Sequence, residues 1–254
     1  MFHVKQFELL SSFAKENGLQ IGEAELDFFD RFCSLLIQRN KELNLTAITD
    51  PAEIETKHFI DSLAAAPLIQ RLWKQIPEKE KTSGHFRLAD VGTGAGFPGL
   101  PLKAVFPEDD FLLLDSLKKR IVFVNEVIRE TGLQNIRAEA ERVETIASAQ
   151  SVSRETFDFC VTRAVADAAV LAEYCLPLVR VGGCCILYKS GSYEEELQNA
   201  ENAISLMGGS VEEIVQSELY GSEAKRSLIV LRKRKATPDK YPRRPGKPSK
   251  SPVK

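Results

Sequence analysis

The glycine-rich stretch DVGTGAGFPG, Asp90 to Gly99, decides the fold of this chain. It follows a short apolar run, Phe86 to Val91, and precedes an amphipathic segment from Leu100 to Phe106. Glycines let the backbone turn tightly and approach a ligand, and the first turn of a helix behind them offers free amide groups. We therefore predict a strand, a ligand-binding turn and a helix, in that order.

The rest of the chain after residue 84 repeats this rhythm. Short apolar runs, typical of buried strands, alternate with longer amphipathic segments, typical of helices. The runs are Phe111 to Leu114, Phe157 to Val161 and Cys184 to Tyr188, and the amphipathic segments are Leu117 to Thr131, Val165 to Val179 and Tyr193 to Met207. This alternation predicts an α/β, doubly wound, Rossmann-like fold with a parallel sheet covered on both faces.

Two extended runs close this region, Val211 to Leu219 and Ser227 to Leu231. No convincing helical pattern separates them, which predicts that the last strand is the antiparallel partner of a hairpin. We place this α/β domain at residues 84–234.

The flanking regions differ from this domain in composition. Residues 1–83 read as a helical N-terminal extension in which Asp50-Pro51 begins a helix, followed by a polar linker from Arg71 to Gly84. Residues 235–254 hold five of the twelve prolines and no apolar periodicity. We expect that C-terminal stretch to be a basic, extended and flexible tail.

Positive charge is concentrated at the C-terminal end. From Lys225 onward there are twelve Lys and Arg and one acid, a balance of +11, whereas the preceding residues carry −13 and the whole chain −2. Such an asymmetry indicates a polyanionic partner, most simply nucleic acid, and its alternative is a merely solvated terminus.

Composition excludes several classes of protein. The chain has 254 residues, of which 43% are hydrophobic and 28% charged, as in globular proteins. It has no apolar run of the ~20 residues that a bilayer requires, and its N-terminus lacks a signal-peptide pattern. Five cysteines without CxxC spacing read as reduced core residues, and three scattered histidines predict no metal site. We expect a cytoplasmic monomer that does not bind membranes.

Two cofactor classes compete for the glycine turn. Gly94, Gly96 and Gly99 satisfy GxGxxG, and Asp115 lies at about the ~20-residue distance that a dinucleotide site requires. Alternatively, a turn that begins with Asp90 faces the amino-acid portion of S-adenosylmethionine, and the Asp90 carboxylate can help to hold the ammonium group or an ordering water. The same carboxylate would repel a pyrophosphate. Asp115 suits the ribose hydroxyls of both cofactors, so the spacing leaves NAD and S-adenosylmethionine open.

Residues after the second and third predicted strands complete this pocket. Ser116 and Leu117 would pass beside an adenine, and Val143 and Glu144 could line its other face and edge.

Several segments together resemble one family, the bacterial 16S ribosomal RNA (guanine-N7) methyltransferases called RsmG or GidB. In chain order they are NLT at 44–46 with Lys57-His58 and Asp61-Ser62, DVGTGAGFPGLPL at 90–102, LDS at 114–116 with Lys119-Arg120, Phe157-Asp158 with Arg163-Ala164, and KYPRRPGKP at 240–248. The chain departs from the family after the fifth strand, where Ser190 separates Lys189 from Gly191.

The resemblance implies a methyltransferase that uses S-adenosylmethionine to methylate N7 of a guanosine in 16S ribosomal RNA, alone or within the small ribosomal subunit. It implies donor contacts at Gly92, Phe97, Val143, Glu144 and Arg163, and Gly94, Asp115, Ser116 and Leu117 fit the same groove. Guanine N7 carries no proton, so no general base is needed and we assign no catalytic residue. We expect Lys57, His58 and Asp61 to connect the N-terminal helices to the core or to brace an RNA-facing edge.

Overall fold

A computed structural model of the chain describes residues 7–81, 84–163, 166–191 and 193–253. Within these residues a seven-stranded sheet has the order β3-β2-β1-β4-β5-β7-β6. The strands are β1 Arg87–Val91, β2 Asp110–Leu114, β3 Ile136–Glu139, β4 Phe157–Arg163, β5 Val179–Ser190, β6 Gly209–Glu218 and β7 Lys225–Lys233. The first five strands are parallel to one another, and β7 is antiparallel to β5 and β6. The doubly wound α/β fold and the final antiparallel hairpin are confirmed.

Helices cover both faces of this sheet. They are α1 Glu8–Glu16, α2 Glu23–Leu43, α3 Pro51–Ile54, α4 Asp61–Leu63, α5 Ala66–Gln75, α6 Gly99–Val105, α7 Lys118–Thr131, α8 Val143–Ile146, α9 Ala168–Cys175, α10 Glu194–Leu206 and α11 Lys247–Lys250. A π-helix over Glu55–Ile60 joins α3 to α4, and a 3-10 turn covers Glu78–Glu80.

The N-terminal helices begin and end largely as local sequence predicts. The Asp50 side chain accepts hydrogen bonds from the N–H groups of Ala52 and Glu53, which confirms it as the N-cap of α3. The linker prediction is wrong for residues 71–75, because α5 continues to Gln75 and buries Leu72 on its inner face. The boundary at residues 83/84 stays a prediction.

Side chains of the central strands alternate between two hydrophobic clusters, since successive residues of a strand point to opposite faces. On β2, Phe111 and Leu113 belong to one cluster, whereas Leu112 and Leu114 belong to the other. The first cluster also contains the aromatic side chains of the N-terminal helices, among them the fully buried Phe32. The N-terminal helices and the sheet therefore share one core.

The expectation of an extended, flexible C-terminal tail is wrong for residues 235–253. The Arg243 guanidinium donates to both carboxylate oxygens of Glu173 on α9, at 2.8 and 2.6 Å. Arg154 donates to the carbonyl oxygens of Thr237 and Tyr241, and Pro248 is buried on α11. Paired charges and main-chain hydrogen bonds hold this segment, so it needs no apolar periodicity to dock.

All five cysteines are buried and free, which confirms them as reduced core residues. The Sγ atoms of Cys160, Cys175 and Cys185 lie within 4.8 Å of one another. Burial raises the pKa of Cys160 and Cys185, which keeps both thiols protonated. The absence of a metal site stays a prediction.

Candidate functional site

The glycine turn after β1 folds over the end of β2. Gly92, Gly94 and Gly96 have φ values of +76°, +59° and +98°, in the left-handed region that favours glycine. The carbonyl oxygen of Leu114 accepts hydrogen bonds from the N–H groups of Gly92 at 2.8 Å and Thr93 at 2.9 Å. These bonds fix the turn against the neighbouring strand and leave its other side open to a ligand.

Asp90 lies beneath this turn and does not line the cavity. Its side chain is fully buried, and its Oδ2 accepts a hydrogen bond from the N–H group of Gly99 at 2.8 Å. Burial raises the pKa of Asp90 to about 7. The expectation that this carboxylate faces the cofactor is therefore wrong, since strand alternation directs it to the same sheet face as Leu88. Repulsion between the Asp90 carboxylate and a pyrophosphate therefore cannot distinguish NAD from S-adenosylmethionine.

A cavity of about 550 Å³ opens beside the turn, where the strand order reverses between β1 and β4. Ligands of open α/β sheets bind at such switch points, outside the carboxyl ends of the strands. Eight of the nine predicted donor-binding residues line it, namely Gly92, Gly94, Phe97, Asp115, Ser116, Val143, Glu144 and Arg163. The ninth, Leu117, does not line the cavity; it precedes α7 and is 45% exposed.

Asp115 presents a fixed carboxylate to this cavity. Its Oδ2 accepts hydrogen bonds from the N–H group of Gly94 at 3.0 Å and from Arg120 at 3.1 Å, and its Oδ1 accepts one from the N–H group of Leu117 at 2.8 Å. A carboxylate offers about four acceptor sites, so one remains for a ligand hydroxyl. The geometry suits the predicted ribose contact for one hydroxyl.

Phe97, His58 and the Arg163 guanidinium form another wall of the cavity, which an aromatic stack supports. The His58 ring stacks on Phe97 with ring centroids 4.5 Å apart, and Phe32 stacks on Phe97 at 5.1 Å. The Arg163 guanidinium carbon lies 5.2 Å from the Phe97 centroid, within cation–π range. Phe97 thus joins the N-terminal helices to the glycine turn.

Asp61 holds Arg163 in this position. Asp61 Oδ2 lies 3.0 Å from Arg163 Nη1, and Asp61 Oδ1 lies 2.7 Å from Arg226 Nε. One carboxylate on α4 therefore bridges β4 and β7. The carbonyl oxygens of Lys57 and His58 also lie 3.4 and 3.5 Å from Arg163 Nη1. These contacts connect the N-terminal helices to the core, one of the two roles predicted for this motif.

His58 is held neutral at this wall. Its Nε2 lies 2.9 Å from the Thr46 hydroxyl, and its Nδ1 is buried with no hydrogen-bond partner among the described residues. Burial, and then the positive charge of Arg163, lower the pKa of His58 to about 4. The imidazole is therefore uncharged at neutral pH.

This pKa predicts a specific pH dependence of stability. The imidazole takes up a proton near pH 6.5 in the unfolded chain but only near pH 4 in the folded one, so the unfolded state binds more protons between these values. As the pH falls from 6.5 to 4, the wild type should lose stability relative to His58→Gln by up to about 1.4 kcal/mol per pH unit. Urea unfolding of both proteins at several pH values measures this difference. Parallel curves over that interval would contradict a buried neutral imidazole.

Several cavity residues escaped the sequence prediction. They include Thr46, His58, Arg120, Arg142, Tyr174 and Ser249. Thr46 and His58 lie in the N-terminal motif that carried the resemblance, so that motif could have been assigned to the pocket. Ser249 gave no signal, because the stretch around it was expected to be extended and remote.

Comparison with known proteins decides the family. The family described as "GidB: rRNA small subunit methyltransferase G" matches residues 25–228. The chain belongs to the GidB family. A GidB relative from Acetivibrio thermocellus, named "Ribosomal RNA small subunit methyltransferase G", is 44% identical over 250 residues, covering 98% of each chain. A relative of the same name from Pelotomaculum thermopropionicum is 44% identical over 246 residues, covering 97% of this chain and 98% of its own.

One solved structure, a SAM-dependent methyltransferase from Aquifex aeolicus, is similar with a TM-score of 0.49 and 15% identity, over 77% of this chain and 97% of that one.

GidB membership confirms the predicted family, enzyme class and cofactor. This GidB chain is a methyltransferase, and S-adenosylmethionine is its methyl donor. Family membership therefore decides against NAD as the cofactor, a choice that the spacing of the glycines alone left open.

Proposed function

We propose that this chain transfers a methyl group from S-adenosylmethionine to N7 of one guanosine in 16S ribosomal RNA. The observation that carries the proposal is the convergence of eight predicted donor-binding residues on one cavity of about 550 Å³ in a GidB member. That volume lies within the range of small-ligand sites, about 300 to 1,000 Å³.

The residues that line the cavity suit this donor. Gly92 and Gly94 have no side chain, so a ligand can approach the backbone of the turn. Asp115 and Glu144 add two nearly buried carboxylates. These can accept hydrogen bonds from hydroxyl and amino groups of the donor and attract its positive charge. When bound, S-adenosylmethionine supplies a methyl group on a positively charged sulfur.

Arg163 is the residue best placed to orient a bound group. Asp61 fixes its guanidinium through Nη1, while its Nε and Nη2 have no hydrogen-bond partner among the described residues. A planar guanidinium with free donors can bind a carboxylate, a phosphate or a base edge. We assign Arg163 to positioning the donor or the acceptor base at the cavity.

The acceptor needs alignment more than proton transfer. Guanine N7 is an acceptor with a free lone pair and no proton, so the neutral His58 need not act as a base. Holding two reactants in line can supply ~7 to 11 kcal/mol in favourable systems. Side chains that are held in place, such as Arg163 and Phe97, can keep the donor and the acceptor base aligned.

Two measurements test this function. Calorimetric titration should show micromolar binding of S-adenosylhomocysteine and no binding of NAD, and the reverse would overturn the cofactor assignment. Mass-spectrometric mapping of unmodified 16S RNA, incubated with the protein and labelled donor, should find one N7-methylguanosine. RNA binding without incorporated label would favour the alternative of a non-catalytic RNA-binding protein.

We also propose that the protein acts as a monomer in the cytoplasm, where ribosomal RNA would be its substrate. Analytical sedimentation of the purified protein tests the oligomeric state, and the expected mass is that of one chain. Separately, no helix among the described residues is long and apolar enough to cross a membrane.

A further inference from the structure

The C-terminal segment, residues 235–253, forms part of the donor pocket. Ser249 of α11 lines the cavity together with the glycine turn. Three residues before it, the N–H group of Gly246 donates to Oε1 of Glu144 at 2.8 Å. Glu144 is 4% exposed and lines the same cavity, so a residue predicted to contact the donor also holds this segment.

Buried partners keep the segment in this position. Glu173 is 0% exposed and accepts hydrogen bonds from the main chain and the guanidinium of Arg243. The buried Lys233 donates to the Thr237 hydroxyl at 2.6 Å. The segment is therefore anchored at its start by Thr237, in its middle by Arg243 and near its end by Gly246.

The outer side of the same segment is strongly basic. Lys240, Arg244, Lys247 and Lys250 are exposed and form no ion pair with any described residue. The stretch 235–254 contains one acid, Asp239. Exposed Arg142 and partly exposed Arg120 lie at the cavity itself, so positive charge continues to its mouth. Basic side chains without an acidic partner favour binding of a polyanion, because each phosphate that they neutralise releases counterions.

We propose that the C-terminal segment is an RNA-phosphate-binding surface that also forms a wall of the donor pocket, so that RNA and donor strengthen each other's binding. Lys247 and Lys250 lie on the same short helix as Ser249, so an RNA backbone bound there stabilises the docked position of that helix. A donor that contacts Glu144 and Ser249 stabilises the same position from inside. Two ligands that favour one arrangement must raise each other's affinity by the same factor.

Point substitutions on the outer side test the surface, which rests on the proposed RNA substrate. The variant Arg244→Ala/Lys247→Ala/Lys250→Ala should raise the Kd for unmodified 16S RNA about tenfold or more and lower the salt slope of binding by about 2 to 3. Its affinity for S-adenosylhomocysteine without RNA should stay that of the wild type, since none of the three side chains lines the cavity. The charge-matched control is Lys15→Ala/Lys74→Ala/Lys79→Ala, at exposed positions outside the cavity, and should leave both affinities unchanged.

The coupling has its own measurement. Saturating S-adenosylhomocysteine should lower the wild-type Kd for the 16S transcript by up to about twofold, because the anchored segment is already docked most of the time and the gain cannot exceed the reciprocal of its docked fraction. Wild-type RNA affinity and salt slope in the triple variant would overturn the surface, and an RNA Kd unaffected by S-adenosylhomocysteine would overturn the coupling. Mapping of the methylated position is independent of both. A triple variant that loses RNA affinity, with no N7-methylguanosine formed by the wild type, would leave the surface standing and reject the proposed function.

Discussion

Replacing Gly96 by alanine is expected to abolish detectable donor binding and to lower the free energy of unfolding by about 3 kcal/mol. Gly96 has a φ of +98°, which strains any residue with a side chain. A Cβ there would lie 2.3 Å from Cδ1 and 2.8 Å from Cγ of Leu100. Leu100 is fully buried and cannot swing away, so the turn itself must shift and its cavity must change shape.

Gly132→Ala is the matched control for this substitution. Gly132 follows α7 with a φ of +70°, but a Cβ there meets nothing within 4 Å. The Gly132→Ala protein should lose about 1 kcal/mol of its free energy of unfolding from backbone strain alone and keep the wild-type affinity for S-adenosylhomocysteine. Urea unfolding and calorimetric titration measure both quantities. Wild-type donor affinity in the folded Gly96→Ala protein would show that the turn does not shape the donor site.

The Arg243→Ala substitution should destabilise the docked C-terminal segment by about 3 kcal/mol, because it leaves the buried Glu173 carboxylate without its charged partner. The Arg243 side chain forms a two-point contact with that carboxylate and is itself largely buried. The main-chain N–H group of Arg243 remains as a donor, which limits the loss. We expect faster tryptic cleavage within residues 235–253 and weaker binding of S-adenosylhomocysteine.

The neighbouring Arg244→Ala variant controls for loss of charge. Arg244 is exposed and forms no ion pair with a described residue, so its removal should change stability by no more than about 0.5 kcal/mol. Equal cleavage rates in the two variants would contradict a structural role for the Arg243–Glu173 pair.

Much of the site could be predicted because its residues follow strand ends. Gly92, Asp115 and Arg163 come after or at the end of three parallel strands, and the carboxyl ends of parallel strands meet at one edge of the sheet. The glycine turn and the repeated alternation of apolar runs located those ends. The family resemblance then supplied the cofactor, which the GxGxxG spacing had left open.

The rest of the site depends on contacts that leave no periodic pattern. Glu173 and Arg243 are 70 residues apart, and neither their residue types nor their spacing predicts that they form an ion pair. The docked segment, and with it the place of Ser249 in the cavity, therefore could not be read from the chain. The inward direction of Asp90 was missed, although strand alternation, which places it on the same sheet face as Leu88, could have indicated it.

The stack of Phe32, Phe97 and His58 restricts how this enzyme can be recombined with its relatives. Phe97 belongs to the glycine turn, whereas Phe32 and His58 come from the N-terminal helices and both stack on its ring. A chimera that takes its helices from one parent and its sheet from another must match ring sizes across the junction. Crossovers between residues 76 and 86 should therefore yield active hybrids only when both parents carry compatible aromatic residues at these three positions.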